Sequence, residues 1–424
     1  MDFALSPALQ RFMALSGALT LVAVALLVPT YLVLILPGAV AVLAGLAFYQ
    51  FPVALAWALV LCFGVGLDLQ LDAMTAAGGG GAVATLGSAV VKVVPFALAG
   101  ALTLRYGLSP AINWPILVYV AIAGLSVAIL PIGRVAGNGD MIRSLIGSTA
   151  PFVVGLALAP RRVWETIIRG AALVPLISAV GGIVAEVTGF YPMFSASGRF
   201  QGLHSAPFLA GFCVTAVFAS MLEYLRGFRL RWLLLGGANL AILLATQARA
   251  PLIAIGLFLL LVFLLSGPRI FPLKRKVDLV MGGMVPAVLL LGPVLLFALE
   301  RFTGESDNLS GRDIIWPYFL DAIEQRPLFG FGLGAGKLIV DPEDPTIKLL
   351  GSSAAHNEYL RLSVDAGIVG CAAIFLSVIF WIWSGTRRAR PVDQLVLRSA
   401  LVAALLHSGF DNTLIASTSV MQFC

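Results

Sequence analysis

The chain holds three histidines in 424 residues, His204, His356 and His407, so any chemistry that needs a base near neutral pH has few candidates. His356 lies in residues 300–370, the one long interval that is not mostly apolar. That interval contains Ser310-Gly-Arg-Asp-Ile-Ile-Trp316, Arg326-Pro-Leu-Phe-Gly-Phe-Gly332 and His356-Asn-Glu-Tyr-Leu-Arg-Leu362. Ser352-Ser-Ala-Ala-His356 predicts a capped helix start, with Ser352 or Ser353 as N-cap. His356 then falls in the first turn of a helix that runs toward Ala366 and stops at Gly367. A helix N-terminus disfavours the imidazolium, which leaves the ring available as a base. The alternative is a surface histidine with a structural hydrogen bond.

Three arginines stand out by position. Arg249 separates two apolar runs, Arg199 sits in a short polar connection, and Arg312 opens an amphipathic stretch. An arginine at a membrane boundary is costly unless it is paired or functional, and snorkelling is the competing reading. Asp313 or Glu305 offers Arg312 a structural partner. His204, beside Arg199, is expected to make a loop hydrogen bond, and His407 to pack inside a bundle. Lys92 and Glu186 fall within apolar runs, either as functional charges or as members of buried pairs. The acidic turn Asp341-Pro-Glu-Asp-Pro345 offers a hard cation only oxygen ligands, and an exposed loop tip accounts for it more simply. Cys62, Cys213, Cys371 and Cys424 form no CxxC pair, so neither a disulfide framework nor a metal site is expected from them.

The elements that must position these groups are apolar. The composition is 60% hydrophobic and 11% charged, with a mean hydropathy of +0.99, whereas a soluble domain is about a quarter charged. At roughly 20 residues per span, the expectation is an all-α polytopic membrane protein of about 12 (11–14) transmembrane helices. Candidate runs are 12–28, 31–48, 51–66, 82–104, 112–133, 145–159, 163–187, 207–222, 230–246, 251–266, 277–299, 364–384 and 395–408. The run after Arg11 is followed at once by another, so it reads as a first span and not as a cleaved signal. The expected organisation is a helix bundle over 1–299, a long loop over 300–363 and C-terminal helices over 364–424.

The net charge of +6 is scattered between hydrophobic runs, which points to topology and not to nucleic acid. One set of alternate connections is rich in arginine and lysine: Arg105; Arg161, Arg162 and Arg169; Arg226, Arg229 and Arg231; Arg269, Lys274, Arg275 and Lys276; Arg387, Arg388 and Arg390. The other set carries only Arg134 and Arg143, Arg199, and Arg249. The basic set is therefore expected on the cytoplasmic side, with the 300–370 loop, Arg199, His204 and Arg249 outside. Within the loop, Ile314, Ile315, Tyr318, Phe319, Ala322 and Ile323 face away from Asp313, Asp321, Glu324 and Gln325, which predicts an amphipathic helix started or kinked by Pro317. Gly330-Phe-Gly-Leu-Gly-Ala-Gly336 follows a helix and a proline instead of a strand. It suits close backbone approach to a ligand or a neighbouring helix better than a dinucleotide fingerprint.

The run His356-Asn-Glu-Tyr-Leu-Arg-Leu-Ser-Val-Asp-Ala-Gly-Ile-Val-Gly370 resembles the signature of the O-antigen ligase and Wzy-type polysaccharide polymerase superfamily. So do Gly311-Arg…Trp316…Arg326-Pro-Leu-Phe-Gly-Phe-Gly332, Ser197-Gly-Arg-Phe200 with His204, Ala245-Thr-Gln-Ala-Arg-Ala-Pro251 and His407-Ser-Gly-Phe-Asp-Asn412. The resemblance covers roughly residues 195–412. It implies a GT-C-like, metal-independent, inverting glycosyltransferase of the bacterial inner membrane, without a cofactor. Such an enzyme takes a glycan from undecaprenyl diphosphate in the periplasm and passes it to lipid A–core (ligases) or to another repeat unit (polymerases). It implies that His356 activates the acceptor hydroxyl and that Arg199, Arg249 and Arg312 bind the donor diphosphate, with His204, Asn357 and Glu358 in support. The family pattern also leads one to expect a further span after Asn412, where this chain ends at Cys424. Arginine suits the last role on physical grounds, because it stays charged and binds phosphate bidentately. A diphosphate leaving group also needs fixed cations as its charge develops.

Two other classes compete. A transporter of lipid-linked sugars places its site near the midplane in broken, repeated helices, whereas here the polar chemistry gathers toward one surface. A non-catalytic assembly subunit would be indifferent to His356→Ala.

Overall fold

The computed structural model describes residues 51–66, 81–128, 136–189, 191–268, 270–281, 311–341, 343–350 and 353–423. The candidate spans 12–28 and 31–48, most of 277–299, and Arg134, Arg269, Glu305, Pro342, Ser352 and Cys424 lie outside them.

The described residues are helical and hold no strand, with 74% of the structure in helix. The helices are α1 (Pro52–Gly64), α2 (Gly81–Tyr106), α3 (Trp114–Ala128), α4 (Asn138–Val153), α5 (Arg161–Val187), α6 (Ala206–Gly227) and α7 (Leu230–Thr246). They continue with α8 (Arg249–Leu265), α9 (Leu273–Leu279), α10 (Arg312–Gln325), α11 (Pro345–Leu350), α12 (Glu358–Gly385), α13 (Pro391–Ser408) and α14 (Ser417–Phe423). Each expected span that falls within the described residues overlaps a helix, although the expected 145–159 run is α-helical only to Val153 in α4, which begins at Asn138. Three of them, α5, α6 and α12, are long and apolar enough to cross a membrane, and α1, α3, α7 and α8 are shorter apolar helices. Large side chains such as Leu234, Leu260, Leu264, Leu265, Leu376 and Phe380 stay exposed on their flanks, as helices whose solvent is lipid require.

The described chain forms two compact units. One is built around α6, whose apolar window is 83% buried because α5, α7 and α14 pack on it. Small residues permit that closeness: a methyl added to Gly211 would come within 2.9 Å of Thr418. Leu55, Leu59, Phe63, Leu98, Ile167, Ala172 and Phe212 form its core.

The other unit contains α10, α12 and α13. The stretch expected to be a loop has a core of its own, in which Ile315, Phe319 and Ala322 of α10 meet Ala335, Val340, Ile347, Ala355 and Val364. The expected amphipathic helix is α10, and Pro317 lies inside it and does not start it.

Helix α12 corrects the predicted start. It begins at Glu358, and its N-cap is Asn357, whose side-chain oxygen accepts from the amides of Tyr359 (3.0 Å) and Leu360 (3.2 Å). Ser353 does not provide the cap, the Ser352 alternative lies outside the described residues, and His356 precedes the helix. Asparagine supplies the capping oxygen as well as serine does, and Asn357 stands four residues closer to the apolar run than Ser353. The predicted stop at Gly367 is a break in a longer helix, with φ 69° and ψ 176° there.

The glycine-rich segment heals that break. The amides of Phe331 and Gly332 donate to the carbonyls of Val364 (2.9 Å) and Asp365 (3.0 Å), and the Ile368 amide donates to Pro327 O (2.7 Å). A methyl on Gly367 would lie 2.1 Å from Leu328 O, so the residue needs both its positive φ and its missing side chain. The close approach expected of the glycine run is therefore to a neighbouring helix.

Candidate functional site

In the unit built on α10, α12 and α13, His356 has φ 45°, in the left-handed region. Its side chain is 41% exposed and its Nδ1 stands 3.7 Å from Asp411 Oδ1. Asp411 follows the C-terminal turn of α13, where the Phe410 amide donates to His407 O at 2.9 Å. Tyr359 ties α12 to α13 by donating to Leu405 O (2.8 Å). Burial would raise the Asp411 carboxyl. His356, the charge of His407 and the Asn412 amide outweigh that and hold it below the usual carboxylate range. Arg312 reaches the same turn, and its Nη2 donates to Phe410 O at 2.8 Å. Burial lowers the pKa of this guanidinium and the Asp411 charge opposes the shift.

A carboxylate facing Nδ1 favours the tautomer with its proton on Nδ1 and its lone pair on Nε2. The arrangement can therefore accept a proton at Nε2 from a hydroxyl while Asp411 stabilises the imidazolium that forms. Asp411 belongs to the His407-Ser-Gly-Phe-Asp-Asn412 segment already singled out, but the sequence reading gave it no task. Its chain distance from His356 hid the pairing.

Glu358 and Asn357 serve the backbone and the core. Glu358 is fully buried and, with Asp365, brackets Arg361, which is 2% exposed. Arg361 Nε donates to Glu358 Oε2 (3.0 Å) and its Nη1 to Asp365 Oδ2 (2.9 Å), while Asp365 Oδ1 accepts from the Gly336 amide (2.7 Å). Removing one partner of such a buried set is far costlier than the net worth of the set. His407 is buried, as expected. The acidic turn uses its carboxylates on its own backbone, since Asp341 accepts from the Glu343 amide and Asp344 from the Thr346 amide.

In the unit built around α6, Arg199 and Arg249 meet one turn of chain. Arg199 sits in a tight loop closed by Ser195 N to Arg199 O (2.9 Å), and its Nε donates to Thr246 O (2.9 Å) at the C-terminus of α7. Burial lowers the pKa of its guanidinium. Three residues on, Arg249 is the first residue of α8 and is exposed. A cation at a helix N-terminus opposes the helix dipole, so an anion placed there is favoured by both.

His204 staples the Arg199 loop to the bundle. It is fully buried; Nδ1 pairs with Ser178 Oγ (2.7 Å) and Nε2 donates to Phe63 O (2.7 Å). Burial depresses its pKa to about 4, against the bond to Phe63. Glu186 supports the same loop by accepting from the Met193 amide (2.7 Å). Lys92 lies on α2.

A family model described as O-Antigen ligase matches residues 232–375, a segment that includes Arg249, Arg312, Trp316 and His356. Arg199 and Asp411 flank it. No curated protein matches the chain. The matched segment contains the Ala245–Pro251, Gly311–Gly332 and His356–Gly370 motifs that resemble that superfamily, so over residues 232–375 the chain is similar to the O-antigen ligase family.

Proposed function

We propose that this protein is an inverting glycosyltransferase that moves a glycan from undecaprenyl diphosphate to an acceptor hydroxyl on the periplasmic side of the bacterial inner membrane, with lipid A–core as acceptor. The observation that carries the reading is the exposed His356 ring set 3.7 Å from Asp411, within a chain that is similar to the O-antigen ligase family over residues 232–375. The acceptor oxygen bonds to the anomeric carbon as the bond from that carbon to the diphosphate oxygen breaks. The hydroxyl proton passes to His356 Nε2, and the electron pair leaves with the diphosphate. Arg199 and Arg249 hold the diphosphate, and the same role is proposed for Arg312. Fixed guanidinium groups supply the charge stabilisation that a metal ion provides elsewhere, so the transfer runs without one.

The test is purified protein with an undecaprenyl-diphosphate glycan and either lipid A–core or more donor. Glycan on lipid A–core supports the ligase reading. Laddering without that acceptor moves the protein to the polymerases of the same superfamily, which differ only in the acceptor. His356→Ala should abolish product while protein level and donor binding stay at the wild-type value, and a transporter or scaffold would keep its function. Added EDTA should leave the rate unchanged; a requirement for Mg²⁺ would overturn the metal-free mechanism.

A further inference from the structure

His356 holds a left-handed backbone conformation that is strained for an ordinary residue and persists only where the surroundings over-determine it. Its neighbours on both sides are tied down. On one side, the Trp316 indole N–H donates to Ala355 O at 2.8 Å, fixing the plane that contains the His356 nitrogen. On the other, Asn357 is locked as the N-cap of α12 by its two side-chain bonds and by the Arg361 amide on its carbonyl (3.1 Å). The residues on either side of His356 are thereby anchored.

The same helix holds the partner. Trp316 and Arg312 are four residues apart on α10, hence on one face, and Arg312 grips Phe410 O, the carbonyl before Asp411. The geometry points to α10 as a template that sets the His356–Asp411 spacing, with Trp316 as a positioning residue for the base. Trp316 acts through the Ala355 carbonyl and does not itself touch the reacting atoms. This rests on the reading of His356 as the base, and the experiment separates the two.

His204 is fully buried and His407 only 4% exposed, so diethyl pyrocarbonate modifies His356 first, without any substrate present. In Trp316→Phe the ring stays and the donor is lost. The rate of His356 carbethoxylation, read by mass spectrometry of its peptide, should rise. The kcat should fall about tenfold or more, as small misplacement of a catalytic group does, with KM for both substrates unchanged. Asn357→Ala releases the anchor on the other side and should reproduce the pattern, so the inference stays testable if the first variant folds poorly. Leu320→Ala, exposed on the same helix, should match wild type. Unchanged carbethoxylation and kcat in both variants overturn the template, and so does a raised KM with unchanged carbethoxylation, which would make Trp316 a substrate contact. Activity retained by His356→Ala sinks the proposed base while leaving the carbethoxylation result to decide the template.

Discussion

In the proposed transfer the imidazole–carboxylate pair takes up the acceptor proton, and Asp411 is its less expected member. A carboxylate that fixes the tautomer contributes to the rate and little to binding. Asp411→Asn should therefore lower kcat by about 100-fold or more, the lower end of the usual worth of acid–base groups, and leave KM near wild type in steady-state assays. A wild-type kcat would remove Asp411 from the mechanism. His204 makes a different kind of prediction. Its folded pKa of about 4 lies below the ordinary 6.5, so the unfolded chain binds the extra proton between those values. Its contribution to stability is whole above pH 6.5 and drains away as pH falls toward 4, amounting to roughly 3 kcal/mol. The slope of Tm against pH over that window should flatten in His204→Gln, and an unchanged slope would show that His204 is not buried neutral. The residue types in these positions were legible in the sequence, and so were the loop bond of His204 and the interior place of His407. The left-handed backbone of His356 was not, because it is imposed by Trp316 and Asn357 and by nothing in the local pattern.

Helices were the most legible level. Apolar length set α5, α6 and α12, and the i, i+4 pattern set α10, since lipid and the core each select one kind of face. The start of α12 was misread because Ser353 and Asn357 both satisfy the capping rule and only tertiary contacts choose between them. The break inside it was half legible: a glycine signalled an interruption but could not reveal that residues 327–332 supply the missing hydrogen bonds. Gly367→Ala forces a methyl against Leu328 O at a positive φ and should destabilise by about 3 kcal/mol or more. Gly256→Ala in α8, with nothing within 4 Å, should be neutral or gain up to about 1 kcal/mol from helix propensity. Thermal melts of the two variants in the same detergent test the contrast, and equal losses would refute it.

At the scale of the whole molecule, composition identified lipid as the main solvent, and basic residues proposed which connections face the cytoplasm. That orientation places Glu324, exposed on α10, outside. With Cys62, Cys213, Cys371 and Cys424 replaced, a single cysteine at Glu324 should react with a membrane-impermeant maleimide in intact spheroplasts. Protection until the cells are lysed would invert the assignment.

The seam at Gly367 also bears on how such a chain is assembled. A bilayer offers no water to carbonyls stranded by a broken helix, so α12 with its break is stable only once residues 327–332, made earlier, have come to rest against it. An isolated segment of residues 353–385 should therefore insert as one uninterrupted rod, and the bend would be acquired from its neighbour and not from its own code.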